Sequence, residues 1–236
     1  MKNGPWHVLE NGPLEKLQEN LWEVEGELPE LPMKRRMTLI RLDDGSVVVH
    51  NGICLREEAQ SELDAWGTVR FIIVPNGWHR TDAAAYAARY PDAKVLCPDP
   101  AQKLVKKKVR VDGNLSLLPE TRVLQHAALA GSKIAEHVLT VRSGSRATLV
   151  FNDTIFNLPK LPGLKGMIYG AIGSTGGPKV TPLMRLIAVR DRAALRRHLE
   201  ELATIPGLAR VIPGHGIIAE GMEDAQTLLR TAIATL

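Results

Sequence analysis

The chain has little cysteine, little aromatic content and no long hydrophobic run. Only two of its 236 residues are cysteine, and Phe, Trp and Tyr together make up 4%. The isolated Cys54 and Cys97 fit a reducing compartment better than a disulfide framework. No apolar run approaches the roughly 18 residues of a membrane-spanning helix, and the first residues lack the apolar segment of a secretory signal. The sequence therefore predicts a cytoplasmic protein with an aliphatic core.

The charge balance is too weak to indicate a strongly charged partner. The formal net charge is +4 and the sequence pI is about 9.1, which is mildly basic. The one basic run, KLVKKKVR at residues 103–110, lacks the interleaved aromatic side chains on which nucleic-acid bases stack. We expect a small-molecule substrate, and neither nucleic acid nor a membrane, as the partner. The sequence leaves open whether the chain forms a homo-oligomer.

Hydrophobic periodicity divides the chain into predicted strands and helices. Two β-branched runs flank Asp44 and Gly45 within residues 37–50, which predicts a β-hairpin. The continuous apolar run at 69–75 predicts a strand buried on both faces. A further strand is predicted at 93–98, a strand pair at 137–143 and 147–153, and a strand with a turn at 209–216. Helices are predicted at 56–67, 81–90, 191–207 and 222–236.

Two segments are predicted to be mostly irregular. The first 35 residues are rich in Pro, Gly and Glu, with one candidate strand at 21–28, and residues 158–182 are rich in Gly and Pro. We expect residues 1–36 to form an N-terminal arm packed on a domain that spans residues 37–236. The mixture of hairpins and helices predicts stacked sheets with helices outside them.

Three turns that follow predicted strands carry side chains able to bind a metal ion. VPNGWHRTD contains His79 and Asp82, VFNDTIFN contains Asp153, and VIPGHG contains His215. In this order and spacing the chain, from about residue 37 onward, resembles the metallo-β-lactamase-fold superfamily. The resemblance implies an α+β fold, the four-layer αββα sandwich, with metal ions at one edge of the two sheets.

The resemblance is to a divergent bacterial branch in which the main metal motif is degenerate. The superfamily motif is His-x-His-x-Asp-His, whereas the aligned loop offers Asn76, Trp78, His79 and Asp82. The ligands of the first metal are therefore mostly missing, and those of the second are partly present. The nearest match to another missing His is Ser132 or Lys133, and a lysine at that position could replace, through its ammonium, the charge of the first ion beside Asp153. A solvent-exposed lysine is the alternative.

Each candidate ligand also has a structural interpretation. His79 could be a loop histidine bonded to the backbone, and Asp82 could cap the helix that follows it. Asp153 could fix a turn together with Asn152, because both residue types bond their own backbone. His215 stands between two glycines, where packing gives little reason for a histidine, and it is the strongest candidate.

These observations lead to two main hypotheses of function. The first is a hydrolase with a reduced, single-metal site that holds zinc, iron or manganese and cleaves an ester, a thioester or a similar bond. His79, Asp153 and His215 would be ligands, with Asp82 a fourth ligand or the general base. The second is a non-catalytic, metal-free protein that serves as a binding or assembly module.

A third hypothesis is phosphate or nucleotide binding through the glycine-rich residues 170–179. The segment departs from the phosphate-loop pattern G-x-x-x-x-G-K-[ST], because Lys179 precedes Val180. Glycines can still present backbone N–H groups to an anion. Lys133 and Lys179 would supply the positive charge.

Overall fold

The computed structural model of the chain describes residues 6–28, 31–171 and 173–236. These residues divide into two compact units. The first contains residues 6–28 and 36–125, and the second contains residues 31–35 and the described residues from 126 onward. Each unit has its own buried hydrophobic core.

The strands and helices follow one another along the chain in a mixed order. The strands are β1 (Glu15–Gln18), β2 (Leu21–Leu28), β3 (Leu31–Arg41), β4 (Ser46–His50), β5 (Thr68–Ile73), β6 (Lys94–Leu96), β7 (Leu124–Ala128), β8 (His137–Ser143), β9 (Arg146–Val150), β10 (Phe156–Leu158), β11 (Gly177–Lys179), β12 (Leu208–Ile212), β13 (His215–Gly216) and β14 (Ala219–Glu220). The helices are α1 (Glu57–Trp66), α2 (Ala83–Arg89), α3 (Gln102–Val105), α4 (Gly163–Ala171), α5 (Pro182–Ile187), α6 (Arg192–Leu202) and α7 (Met222–Ala234).

The first unit is built on a six-stranded sheet in the order β1-β2-β3-β4-β5-β6. The predicted hairpin is confirmed, because β3 and β4 pair antiparallel from Thr38↔His50 to Arg41↔Val47. Gly45 takes the positive φ of 80° in its turn. β4, β5 and β6 then pair in parallel, as continuous apolar strands do in a buried sheet.

The β4 strand is buried at all five positions. His50, at its end, is buried like the rest of the strand. The strand pairs with neighbours on both of its edges, and a central strand buried on both faces does not alternate.

The segment before residue 37 is more ordered than its composition predicts. The candidate strand at 21–28 is confirmed as β2, and β1 adds a strand that the sequence analysis placed in irregular chain. Trp22 stacks on Trp66 at 3.9 Å between ring centroids. Pairing and aromatic packing with distant residues therefore outweigh the local Pro and Gly content.

The second unit contains a five-stranded sheet in the order β14-β12-β9-β8-β7 and a three-stranded sheet in the order β11-β10-β13. The predicted β8–β9 pair is antiparallel, and β9 runs parallel to β12. The predicted α6 begins after Asp191, whose carboxylate accepts from Ala194 N–H at 3.0 Å. Leucines of α6 and α7 pack in the core of this unit.

Residues 158–182 are not mostly loop, as the sequence analysis expected. They include α4, β11 and the first residue of α5. Thr181 caps α5 by accepting from Met184 N–H at 3.2 Å, and Pro182 takes the first helical position. These local capping signals are stronger than the glycine-rich composition around them.

The described cysteines, Cys54 and Cys97, are both buried and unbridged, as expected of isolated thiols. Within the described ranges, no helix is long and apolar enough to cross a membrane.

Candidate metal centre

The loop that carries Asp153 is held in place by a buried glutamate. Glu136 accepts the backbone N–H groups of Asn152, Asp153 and Thr154 at 2.8, 3.0 and 2.8 Å. It also accepts the Thr154 hydroxyl at 2.9 Å. Four donors on one carboxylate fix the turn after β9, so the side chain of Asp153 leaves a rigid backbone. Sequence reasoning missed Glu136, because an acid before a strand carries no distinctive local signal.

The electrostatics of this loop combine two buried carboxyl groups. Burial, together with the negative charge of Asp153, raises the pKa of Glu136 to about 7, although the hydrogen bonds from Asn152 and Thr154 lower it in part. Asp153 itself is 3% exposed. A protonated group, a histidinium or a cation beside Asp153 offsets such a concentration of negative charge.

The His215 turn brings a buried imidazole to the end of β12. β13 pairs in parallel with β10, and the His215 ring stacks on Phe156 at 4.8 Å between centroids. A Cβ at Gly214 would lie 2.6 Å from the Asn152 carbonyl oxygen. At Gly216, where φ is +98°, it would lie 2.1 Å from the Asn157 carbonyl oxygen. The flanking glycines therefore allow the close backbone approach that positions this histidine.

The hydrogen bonds of His215 define its tautomer. Nδ1 lies 2.7 Å from the Lys34 carbonyl oxygen, which can only accept, so Nδ1 carries a proton. Nε2 lies 3.1 Å from Asp153 Oδ1, and both residues are buried. The pair is either an imidazolium–carboxylate ion pair or two ligand atoms that point at one cation. A ligating histidine commonly donates its other ring N–H to a carbonyl in this way.

In the first unit, His79 is oriented by Asn51. The Asn51 Nδ2 donates to the Arg36 carbonyl at 2.9 Å, which fixes the direction of the amide. Its Oδ1 lies 3.2 Å from His79 Nδ1, so that nitrogen donates and Nε2 holds the lone pair of the neutral ring. His79 is half-buried and has the same tautomer as a histidine that ligates through Nε2. The sequence analysis did not assign this role to Asn51.

The other residues of the loop after β5 shape the backbone. Asn76 accepts from the N–H groups of Trp78 and His79 at 2.8 and 3.2 Å through Oδ1. This is an Asx turn. Trp78 is exposed.

Asp82 precedes α2 without capping it through its side chain. The side-chain hydrogen bond of the capping interpretation is therefore absent, whereas the position of Asp82 at the start of α2 fits the expected complement to the helix dipole. Its Oδ2 instead accepts from Cys54 N–H at 3.0 Å and joins this loop to the turn after β4. A role as fourth ligand or general base stays a prediction.

The two lysines of the alternative hypotheses bond to backbone carbonyls. Lys133 Nζ donates to the Leu186 carbonyl at 2.8 Å, near the end of α5, and Lys179 Nζ donates to the Thr175 carbonyl at 2.7 Å. A cation at a helix C-terminus complements the helix dipole. The exposed-lysine alternative therefore describes Lys133.

A buried amide next to Asp153 offers further hydrogen-bonding capacity. Asn152 is fully buried, and neither its Oδ1 nor its Nδ2 has a partner among the described residues. A buried amide of this kind costs about 1–3 kcal/mol unless it is satisfied. Together with the Asp153–His215 pair, it fits a loop built around a bound group.

Comparisons with known proteins find structural likeness without sequence relatives. No family model and no curated protein matches the chain. DIM-1 metallo-β-lactamase exposed to ceftazidime is similar with a TM-score of 0.62 and 15% identity, covering 95% of this chain and 99% of that one. A metallo-β-lactamase from Hirschia baltica has a TM-score of 0.59 and 16% identity, covering 95% and 97%.

A third similar structure is the metallo-β-lactamase of Erythrobacter litoralis with β-mercaptoethanol in its active site. Its TM-score is 0.60 at 14% identity, and the match covers 94% of this chain and 96% of that one. At these identities the likeness shows the fold alone. It confirms the expected α+β class and the fold of the metallo-β-lactamases.

Proposed function

The chain has the metallo-β-lactamase fold, and on that premise we propose that it is a hydrolase with a reduced, single-metal site. The observation that carries the proposal is the buried pair of Asp153 and His215, whose facing atoms are 3.1 Å apart. His79, from the loop that aligns with the superfamily motif, is the proposed third ligand.

The donor set suits a borderline transition-metal ion. Two imidazole nitrogens and one carboxylate oxygen are common ligands of zinc, and they also suit iron and manganese. In both histidines Nδ1 donates to an oxygen, that of Lys34 or of Asn51, which leaves Nε2 as the ligating atom. Such an ion, when bound, supplies Lewis acidity and acidifies a coordinated water.

The protein's own residues would position the reacting groups. Glu136 keeps the Asp153 loop rigid through its four hydrogen bonds, and the Lys34 carbonyl keeps the His215 ring in one orientation. Asp82 is the proposed general base, since a carboxylate can take a proton from the attacking water. The proposed substrates are esters, thioesters and similar acyl compounds.

One observation favours the second candidate, a metal-free binding or assembly module. Asn76 is engaged in a turn, and the alignment proposed from the sequence sets Asn76 and Trp78 against two histidines of the superfamily motif. An imidazolium on His215 would pair with Asp153 without any metal ion. The two candidates therefore differ in what lies between these two side chains.

Elemental analysis of protein purified without added metal separates the candidates. We expect about one equivalent of zinc, iron or manganese in the wild type, and its loss in Asp153→Ala and His215→Ala. His198→Ala is the matched control, because His198 accepts a backbone N–H from Ala130 elsewhere in the second unit. His79→Ala tests the third ligand. No metal in the wild type, even after reconstitution with each ion, would support the metal-free module.

A further inference from the structure

Helix α4 exposes a stripe of large apolar side chains. Leu164, Met167 and Ile168 are 71%, 66% and 54% exposed. Their spacing of three and four residues places them on one face of the helix. Apolar residues scattered singly over a surface are ordinary, but three on one helical face mark an interaction site.

Helix α5 repeats the arrangement a few residues later. Leu183, Leu186 and Ile187 are exposed with the same spacing, while Met184 on the opposite side is buried in the core. The Gly173 turn between the helices packs against the Pro182 ring, where an added Cβ would lie 2.8 Å from Cγ. We call the exposed side chains of α4 and α5 the apolar face.

The segment that bears the apolar face is positively charged without any compensating acid. Residues 154–190 contain no Asp or Glu. They contain five basic residues, which are Lys160, Lys165, Lys179, Arg185 and Arg190. The whole chain has 30 basic and 26 acidic residues, so the part outside residues 154–190 has 25 basic and 26 acidic residues. The net positive charge of the whole chain therefore comes from this segment.

One contact places a cation beside the apolar face, and two exposed cations flank the helices along the chain. The ammonium of Lys133 bonds to the Leu186 carbonyl within the α5 stripe, and Arg190, three residues beyond α5, is exposed. Lys160, three residues before α4, is exposed as well. An apolar helical face rimmed by Lys and Arg is the pattern by which helices lie in the surface of an anionic bilayer.

We propose that the apolar face docks the protein on membrane surfaces that contain anionic lipids. A second copy fits this face poorly, because a symmetric contact would bring two such positive segments together. Docking of this kind needs no spanning helix. The sequence-based expectation of no membrane partner considered spanning segments, which are a different feature. The inference does not depend on the proposed metal site.

Vesicle co-sedimentation of the full chain tests the proposal. We expect the wild type to sediment with vesicles of mixed phosphatidylcholine and phosphatidylglycerol, to remain in solution with phosphatidylcholine alone, and to be released by salt. Leu186→Gln and Met167→Gln should each weaken binding about tenfold, since each removes a buried apolar side chain from the interface. Lys160→Gln and Arg190→Gln should each weaken it about fivefold.

The matched control is Met222→Gln, which changes an exposed methionine at the start of α7 in the same unit. It should bind like the wild type, and all variants should keep the wild-type melting temperature because the altered side chains are exposed. Equal binding to both vesicle types, no sedimentation with either, or unaltered binding of the variants would each overturn the proposal. The proposal would also be overturned if the wild type bound no vesicles but self-associated with rising concentration, and if Leu186→Gln abolished this self-association. The apolar face would then join two copies of the chain.

Discussion

At the scale of single residues, the Asp153 loop depends on Glu136. The carboxylate lies in a fully buried position and satisfies three backbone N–H groups and a hydroxyl. No neighbouring side chain duplicates this role in the bonds that the structure describes. The hydrogen bonds to this carboxylate thus fix the turn that carries Asp153.

We predict that Glu136→Gln lowers the free energy of unfolding by about 2–3 kcal/mol. The Gln side chain keeps the shape but turns an amide NH₂ toward backbone donors, which leaves at least one buried N–H unsatisfied. Urea unfolding followed by circular dichroism measures the change. Glu200→Gln, on the exposed side of α6, is the control and should change little. A Glu136→Gln variant as stable as the wild type would contradict the role of the carboxylate.

At the scale of elements, the β10–β13 pair depends on a residue without a side chain. Gly216 has φ of +98°, and a Cβ there would overlap the Asn157 carbonyl at 2.1 Å. Gly144, in the β8–β9 turn, also has positive φ but has nothing within 4 Å of an added Cβ. Comparing the two separates backbone strain from steric overlap.

We predict that Gly216→Ala costs about 3 kcal/mol of stability and Gly144→Ala about 1 kcal/mol. The difference reflects overlap of Cβ with the backbone of β10. Denaturant unfolding gives both values, and metal analysis of Gly216→Ala should also show a loss, because His215 moves with its neighbour. Equal losses of stability for the two substitutions would mean that the backbone at Gly216 can shift enough to relieve the overlap.

The β2–β3 pair contains a buried ion pair whose contribution depends on pH. Arg36 Nε lies 2.7 Å from Glu23 Oε2, and both side chains are buried. Burial raises the pKa of Glu23 above its ordinary value of 4.5, although the charge of Arg36 lowers it in part. The folded state therefore binds the Glu23 proton more tightly than the unfolded chain does. The stabilisation that comes from this neutral, protonated carboxyl group is present below pH 4.5 and is lost as the pH rises through the raised pKa.

We predict that the stability of the wild type relative to Glu23→Gln falls as the pH rises above about 4.5. The variant cannot titrate at this position. The difference in the free energy of unfolding between the wild type and Glu23→Gln therefore isolates the contribution of the Glu23 carboxyl group. Urea unfolding at a series of pH values measures it, with exposed Glu58→Gln as the control for general charge effects. A difference that stays constant or grows with pH would show that Arg36 dominates over burial.

The elements also show which features a single sequence reveals. The β3–β4 hairpin and α6 could be predicted because their turn and cap residues are local, as Asp191 illustrates. The strand β1 could not be predicted, because it forms by pairing with β2 and its own residues show no local periodicity. The Glu136 role was equally hidden, since its partners lie 16–18 residues further along the chain.

At the scale of the whole molecule, residue identity and fold give different information about the site. The fold was expected from three polar turns in the right order, and the structural likeness at about 15% identity confirms it. His215 was singled out from its Gly-His-Gly turn, and the structure places its Nε2 3.1 Å from Asp153 Oδ1. The state of the Asp153–His215 pair could not be predicted, because an ion pair and a pair of ligands have the same sequence and nearly the same geometry.

Removal of metal provides the whole-molecule test of that state. An ion bound to the folded chain alone stabilises it by about 2.7 kcal/mol when its concentration is 100 times the dissociation constant. For a chain of this size we predict that dialysis against a chelator lowers the melting temperature of the wild type by roughly 5–10 °C.

The variants make this prediction specific to the proposed site. Asp153→Ala and His215→Ala lack a ligand and should melt at the same temperature with and without chelator, while the His198→Ala control should respond like the wild type. Differential scanning calorimetry measures each melting temperature, and zinc added back should restore the wild type. A wild type that does not respond would favour the imidazolium–carboxylate pair. A response that persists in both variants would place the stabilising ion elsewhere in the chain.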